Sequence, residues 1–347
     1  MGQGIDDAMI FANIYAEGHS NNSLFGLDDV VHRYNPTYTP RLLRQEFLKL
    51  GIELNTPDLN QNREIAFDLY AEGRPLKPRA RPRYLVAMEN PYINKLNADR
   101  NYCLQFDLVF AWDIRLHDLV NVIPTMIPHP MQWKESPSPD QRSIFSCLIN
   151  ANKSFKDALP TDLYAERINT IRWYERNAPE KFALYGMGWE KPPPEFTPIG
   201  RVRRSIARIT DLILHRPAFP SYQGELKDKA EVLRQSRFSY CYENSRGLNN
   251  YITEKIFDSM VNGCIPVYWG ADNVLDYIPA CCFIDRRQFK NTSDTHRYLV
   301  QLSDSKCHDY QQHIKEFLLS QEAAPFKTKH VVQQIVSKIA AQLDSAN

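Results

Sequence analysis

The sequence has no long apolar run and no excess of one charge. Its 347 residues include 42 Lys and Arg against 41 Asp and Glu, a formal net charge of +1. This balance gives no electrostatic reason to bind nucleic acid. No stretch approaches the roughly 18 apolar residues of a transmembrane helix, and the first thirty residues lack the order of a signal peptide. We therefore expect a cytoplasmic protein without a transmembrane segment, and leave open a peripheral position at the cytoplasmic face of the membrane.

Motifs that mark several common enzyme classes are also missing. The sequence has no Gly-x-Gly-x-x-Gly and no Gly-Lys-Ser/Thr, which disfavours dinucleotide and ATP sites. It has no His-Glu-x-x-His and no Asp-x-Asp, so no metal site is visible. The seven cysteines form no Cys-x-x-Cys pair, which favours reduced, buried thiols over disulfides or zinc.

Short apolar runs alternate with helical patterns, as is typical of α/β folds. The predicted strands are Ile52–Leu54, Glu64–Leu69, Tyr84–Met88, Leu108–Ala111, Val122–Ile127, Ile144–Ile149, Phe182–Tyr185, Phe238–Tyr242 and Cys264–Trp269. We predict two Rossmann-like domains, residues 1–142 and 143–328, which face each other across a cleft. An amphipathic helix over residues 329–347 is expected to pack back on the first domain. The segment from Pro192 to Arg208 reads as irregular.

The stretch from Phe238 to Gly270 reads as a strand, a polar loop, a helix and a second strand. A strand-helix-strand unit implies parallel strands, and such units bind ligands at the carboxyl ends of their strands. Thr253 is a candidate helix cap, and Gly263 stands where the helix should stop. The polar loop and helix start therefore predict a site for an anionic ligand.

Three motifs in this stretch resemble a known family. Tyr242-Glu243-Asn244-Ser245, Tyr251-Ile252-Thr253-Glu254-Lys255-Ile256 and Ile265-Pro266-Val267-Tyr268-Trp269-Gly270 occur in the order found in the α-1,3/α-1,4-fucosyltransferases of glycosyltransferase family 10, soluble bacterial type. The resemblance covers about residues 143–289 and, in the first half, only Glu89-Asn90-Pro91. It implies a GT-B fold and an inverting transfer of L-fucose from GDP-fucose. It also implies that the second domain holds the donor and the first the acceptor.

Two cations are candidates for the diphosphate of GDP-fucose. Lys255 lies in the first turn of a helix, where a cation opposes the helix dipole, and this favours a functional role over a solvated lysine. Arg167 resembles the phosphate-binding arginine of the family, and a guanidinium fork suits phosphate oxygens. The alternative is a surface partner for Glu166 or Glu175, and Arg172 is the nearest rival.

Three further residues are candidates for the donor site. Glu254 resembles a residue that binds sugar or ribose hydroxyls, and is otherwise a favourable carboxylate at a helix start. Asn244 offers a donor and an acceptor to the nucleotide, or simply ends the strand in a turn. Tyr251 contacts ribose or phosphate, or packs the helix start onto the core. Glu243 is expected to support the loop.

Inversion requires a base that removes the proton of the attacking hydroxyl. Glu89 resembles the candidate base of the family, with Asp107 and Asp113 as alternatives. The acceptor is expected to be a GlcNAc-containing glycan such as N-acetyllactosamine or a Lewis precursor, most simply modified by an α-1,3 linkage. No metal or other cofactor is expected to be required, although a divalent cation bound through the diphosphate could stimulate the reaction.

Three other functions remain open from the sequence. The chain could use another GDP-sugar or an unusual acceptor. It could bind a nucleotide sugar without catalysis, in which case Glu89 has no role. A glycoside hydrolase would use paired carboxylates, Glu89 with Glu243 or Glu254, but would leave Lys255 unexplained.

Overall fold

The computed structural model describes residues 9–26, 37–157, 159–213 and 217–346, which contain two parallel sheets. The chain divides into two units, Met1–Pro130 with Ala324–Asn347, and Met131–Ala323. The boundary lies at Pro130 and not at the expected residue 142. Arg142 explains the difference, because its guanidinium donates hydrogen bonds to three carbonyls of the second unit.

The strands of the first unit form a six-stranded parallel sheet in the order β2-β1-β3-β4-β5-β6. They are β1 Ile10–Tyr15, β2 Ile52–Asn55, β3 Ile65–Ala71, β4 Arg83–Ala87, β5 Leu108–Ala111 and β6 Val122–Pro124. Five of the six match predicted strands, and β1 was missed. Its polar Asn13 interrupts the apolar pattern, but the fold buries this amide between Asp68 and Asn60, each 2.9 Å away.

The second sheet has the order β11-β10-β9-β7-β8, again with all strands parallel. Its strands are β7 Ile144–Ile149, β8 Phe182–Tyr185, β9 Ser236–Tyr242, β10 Ile265–Trp269 and β11 Ile284–Asp285. The chain passes from β7 outward to β8 and then returns to the other side of β7 to form β9. This reversal creates a topological switch point between β7 and β9, where open α/β sheets bind ligands.

Nine α-helices accompany the sheets in the described residues. They are α1 Tyr38–Leu48, α2 Arg100–Cys103, α3 Tyr164–Asn177, α4 Pro198–Ile213, α5 Lys229–Gln235, α6 Glu254–Met260, α7 Thr292–Gln301, α8 Asp304–Leu319 and α9 Thr328–Ala346. The segment expected to be irregular contains helix α4, and α5 was not predicted. Helix α9 buries Val332 and Ile339 in the same core as Phe47 of α1 and Phe67 of β3. None of these helices is long and apolar enough to cross a membrane.

Substitution of Arg142 tests how much its hydrogen bonds stabilise the second unit. It is 6% exposed, and its guanidinium donates to the carbonyls of Pro137, Leu233, Ser236 and Asn262 at 2.8 to 3.2 Å. Arg142→Met removes these four hydrogen bonds, including the two that join the guanidinium to the Ser236 and Asn262 carbonyls. We expect the free energy of unfolding to fall by about 3 kcal/mol or more, measured by urea denaturation.

The matched control for Arg142→Met is Arg297→Met, because the Arg297 side chain is 66% exposed and forms an ion pair with its helical neighbour Asp294. It should change the free energy of unfolding by no more than about 0.5 kcal/mol. Equal effects of the two variants would contradict the structural role of Arg142.

Candidate functional site

A cavity of about 390 Å³ lies in the second unit at the carboxyl ends of β7, β8 and β9. It therefore occupies the switch point of the sheet. Its lining residues are Ile149, Asn150, Ala151, Lys153, Tyr164, Arg167, Gly186, Met187, Glu225, Leu226, Lys229, Asn244, Glu254 and Lys255. Four of these carry positive charge and two carry negative charge. The wall is therefore suited to an anionic ligand.

Arg167 holds the end of β9 while one part of its guanidinium remains unpaired. The residue is 2% exposed, and its Nη2 lies 2.8 Å from the Tyr242 carbonyl, 2.9 Å from the Glu243 carbonyl and 3.1 Å from Asn244 Oδ1. Its guanidinium also lies over the Tyr164 ring, 4.5 Å from the centroid. Its Nε has no hydrogen-bond partner among the described residues. A buried donor of this kind favours an acceptor supplied by a ligand.

The surface roles considered for Arg167 are filled by other residues. Glu166 lies 3.8 Å from the Arg286 guanidinium, and Glu175 pairs with Arg172 at 2.7 Å. Arg172 does not line the cavity and is therefore not the residue that faces a ligand there.

Glu243 is fully buried and organises the loop between β9 and α6. Its carboxylate accepts hydrogen bonds from the Thr253 N–H at 2.9 Å, from Thr253 Oγ1 at 2.7 Å and from Lys255 Nζ at 3.2 Å. Thr253 therefore binds this carboxylate and does not cap helix α6 through its side chain. Gly270 makes the packing possible, because a Cβ there would lie 2.3 Å from Glu243 Cγ.

The two charges of this pair are shifted by burial and by each other. Burial raises the pKa of the Glu243 carboxyl, and the Lys255 ammonium acts in the opposite direction. Burial also disfavours the charged form of Lys255, but the Glu243 and Glu254 carboxylates outweigh it and raise the Lys255 pKa above its usual range. Lys255 is therefore a fixed cation in the cavity wall.

Of the other three residues predicted to bind the donor, two line the cavity and one does not. Glu254 lines the cavity with a side chain that is 48% exposed, and it lies 3.4 Å from Lys255 Nζ. Asn244 also lines the cavity, with its Oδ1 accepting from Arg167. Tyr251 is 3% exposed and is not part of the lining.

Several lining residues were not assigned a role from the sequence. Asn150 and Gly186 follow the apolar runs of β7 and β8, so their position at strand ends was a usable signal. Gly186 has φ +122°, and a Cβ there would lie 2.1 Å from the Asn150 carbonyl oxygen. Lys229 begins helix α5, which was not predicted, and Lys153 lies in an irregular loop. No pattern in the sequence marks these two lysines.

Glu89 lies in the first unit, just beyond the end of β4. Its loop is held by Glu72, whose Oε2 accepts from the N–H groups of Met88 at 3.1 Å and Glu89 at 3.0 Å, and from Asn97 Nδ2 at 2.5 Å. Glu72 adopts a left-handed φ of 69°, and burial raises the pKa of its carboxyl. The Glu89 carboxylate accepts from the Asn90 N–H at 2.7 Å.

The alternative bases are committed to arginines. Asp107 pairs with Arg79 at 2.6 Å, and Asp113 pairs with Arg115 at 2.5 Å. Among the residues that the structure describes, Glu89 forms no ion pair with a basic side chain. Its carboxylate is therefore the more available of the three to accept a proton. The residues that the structure describes contain no group of three or more His, Cys, Asp or Glu side chains arranged to hold a metal ion.

The sequence is similar to known proteins over part of its second half. Residues 213–342 match the family described as glycosyltransferase family 10 (fucosyltransferase) C-term. The alpha-(1,3)-fucosyltransferase FucT of Helicobacter pylori is 36% identical over 81 residues, 23% of this chain and 17% of that protein. The alpha-(1,4)-fucosyltransferase of Arabidopsis thaliana is 34% identical over 68 residues, 20% of this chain and 17% of that protein. The chain thus spans less than a fifth of each relative.

The fold is similar to solved structures over nearly the whole chain. A crystal structure of an alpha1,3-fucosyltransferase with GDP has a TM-score of 0.53 at 15% identity, covering 98% of this chain and 92% of that chain. Anabaena HepE in complex with UDP and glucose has a TM-score of 0.56 at 11% identity, covering 96% and 100%. These structures are GT-B glycosyltransferases, so the predicted GT-B fold is confirmed.

The buried pair of Glu243 and Lys255 predicts a stability change that depends on pH. Lys255→Met leaves the Glu243 carboxylate buried and without its cation, and we expect a loss of about 3 kcal/mol at about pH 8. Burial raises the Glu243 pKa, so folding favours the protonated carboxyl. The resulting contribution to stability is present at low pH and is lost as pH rises through the pKa of the folded state. The deficit should therefore shrink towards about pH 5, measured by urea denaturation.

Two further variants make this result specific. Glu243→Gln in the Lys255→Met background removes the unpaired charge and should recover part of the lost stability. Lys306→Met is the control, because the Lys306 side chain is 69% exposed and pairs with Asp309. A deficit of Lys255→Met that is independent of pH would contradict the assignment.

Proposed function

We propose that the protein is an inverting fucosyltransferase that uses GDP-fucose as its donor, because residues 213–342 match the family described as glycosyltransferase family 10 (fucosyltransferase) C-term. One observation carries the proposal. The buried guanidinium of Arg167, with its unpaired Nε, and the fixed cation Lys255 line one cavity at the switch point of the second sheet. Similarity to fucosyltransferases, one of them solved with GDP, supports the choice of donor.

We propose that the diphosphate binds to these two cations. Arg167 donates from Nε to a phosphate oxygen, since its Nη2 is already used on β9. Lys255 supplies a second charge, and the exposed Lys153 and the half-buried Lys229, which pairs with Asp258 at 3.6 Å, add to the positive field of the wall. Glu254 accepts hydrogen bonds from sugar or ribose hydroxyls, and Asn244 contacts the nucleotide. Tyr251, which is buried, packs the helix start onto the core.

The proposed reaction needs charge stabilisation and a base. The acceptor hydroxyl attacks the anomeric carbon of fucose on the face opposite to GDP. The bond from this carbon to the phosphate oxygen breaks, and the negative charge that develops on GDP is stabilised by Arg167 and Lys255. Glu89 takes the proton of the attacking hydroxyl. Because protein cations supply the charge, we propose that no metal is required, while a divalent cation on the diphosphate can still stimulate turnover.

The acceptor and location complete the proposal. We propose an α-1,3 linkage to a GlcNAc-containing glycan of the N-acetyllactosamine or Lewis-precursor type. The protein is proposed to act in the cytoplasm, in keeping with its seven free cysteines, six of which are buried. A hydrolase that uses Glu243 is disfavoured, because this carboxylate is fully buried and bonded to Thr253 and Lys255.

The donor assignment is tested with GDP-fucose and N-acetyllactosamine, by GDP release and product mass. We expect turnover with GDP-fucose and not with UDP-sugars. Arg167→Met should weaken GDP binding by on the order of 10-fold to 100-fold in calorimetric titration, the loss of one charge-assisted hydrogen bond.

Arg172→Met is the matched control for Arg167→Met. It removes an arginine from the same helix, but one that pairs with Glu175 outside the cavity. It should bind GDP like the unmodified protein, and thermal melting checks that both variants are folded. Equal GDP affinity of folded Arg167→Met and the unmodified protein would refute the phosphate role of Arg167.

The proposed base is tested by separating turnover from donor binding. Glu89→Gln keeps the size of the side chain but cannot accept the proton, so kcat should fall by about 10²-fold to 10⁴-fold. GDP affinity should be unchanged, because Glu89 belongs to the first unit and the cavity to the second. Asp107→Asn and Asp113→Asn are the controls. Full turnover of Glu89→Gln would remove Glu89 from the mechanism, and loss in one control instead would identify that aspartate as the base.

A further inference from the structure

Helix α4 presents its apolar side chains to solvent. Ile199 is 75% exposed, Val202 61%, Ile206 59% and Ile209 57%. Their spacing of three, four and three residues places them on one face of the helix. Four adjacent aliphatic side chains at this exposure form a continuous apolar surface, which in soluble proteins commonly marks an interaction site.

The opposite side of α4 faces the protein and is small or polar. Gly200 is buried and its N–H donates to Thr197 Oγ1 at 3.0 Å, and Ala207 is half-buried. Arg204 Nε donates to the Pro192 carbonyl at 3.0 Å. An ordinary surface helix buries its apolar stripe and exposes its polar face. Helix α4 has the reverse orientation, so packing against the described residues does not explain its amphipathic pattern.

The helix is also strongly basic although the whole chain is not. Its sequence, PIGRVRRSIARITDLI, contains four arginines and one aspartate, whereas the formal net charge of the protein is +1. Arg201 and Arg208 are exposed. The helix therefore presents both positive charge and an apolar stripe to solvent.

We propose that α4 is a membrane-surface helix that binds anionic lipids. In this arrangement the aliphatic stripe enters the boundary between headgroups and acyl chains, and the arginines contact lipid phosphates. The charge distribution favours a lipid surface over a second copy of the chain, because pairing of two such helices would bring their arginines together. Nucleic acid would use the arginines but would leave the aliphatic stripe exposed. This inference does not depend on the proposed catalytic function.

The test is flotation of the full chain with lipid vesicles, with bound and free protein separated on a density gradient. Vesicles of phosphatidylcholine with phosphatidylglycerol should carry the protein, and vesicles of phosphatidylcholine alone should carry much less. Added salt should weaken the binding, because attraction to the charged surface is screened. Equal recovery with the two kinds of vesicle, or no binding to either, would overturn the proposal.

Two pairs of variants separate the apolar and electrostatic contributions. Val202→Gln with Ile209→Gln removes half of the stripe, and Gln is a good helix former. Its control is Val300→Gln with Leu319→Gln, which changes two side chains of similar exposure on α7 and α8. Arg201→Gln with Arg208→Gln removes two charges of α4, and Arg297→Gln with Lys306→Gln removes two exposed charges elsewhere.

Each α4 pair should weaken binding to anionic vesicles by on the order of tenfold or more, and each control pair should bind like the unmodified protein. Turnover on a soluble acceptor should be the same in all of them, which separates this result from failure of the proposed function. Unchanged vesicle binding of the α4 variants would refute the assignment to α4. The protein could instead sediment as a dimer that Val202→Gln with Ile209→Gln abolishes, and not bind vesicles. This result would show that a second copy of the chain, and not a membrane, covers the stripe.

Discussion

The buried carboxylate of Glu243 is the group on which the geometry of the cavity depends. It fixes the Thr253 backbone and hydroxyl and places Lys255 in the wall, while the carbonyls beside it hold Arg167. Such a buried charge is costly unless it is paired and hydrogen-bonded, and here it has both kinds of partner. Glu243 thus contacts both cations, Lys255 through its carboxylate and Arg167 through its backbone carbonyl. In the proposed function, it preorganises them for a diphosphate.

The strand pattern of the chain was largely predictable, and the exceptions have physical causes. β1 was missed because Asn13 breaks its apolar pattern, and only the fold supplies the Asp68 and Asn60 partners that make its burial favourable. Helix α4 follows three consecutive prolines and was read as irregular for that reason. Its apolar stripe is regular, but the stripe faces solvent, so the rule that apolar faces mark the core does not apply to it.

The candidate site was predictable where its residues are close together in sequence. Asn244, Glu254 and Lys255 lie within one strand-loop-helix segment, and the structure brings them to one cavity. Arg167 could be suspected from resemblance, but its attachment to β9 joins residues far apart in the chain. Tyr251 was a candidate for the donor site, but it is buried and does not line the cavity. The internal pairing of Glu243 with Lys255 could not be predicted, because sequence spacing does not show which side of a loop is buried.

A nucleotide diphosphate is proposed to bind at the carboxyl ends of β7 and β9, and a crystal structure of the full chain with GDP tests this directly. We expect a phosphate oxygen within about 3 Å of Arg167 Nε and a second phosphate contact from Lys255 Nζ, with Glu243 still buried beneath them. GDP bound elsewhere, or bound in this cavity with its phosphates directed away from Arg167 and Lys255, would contradict this binding mode.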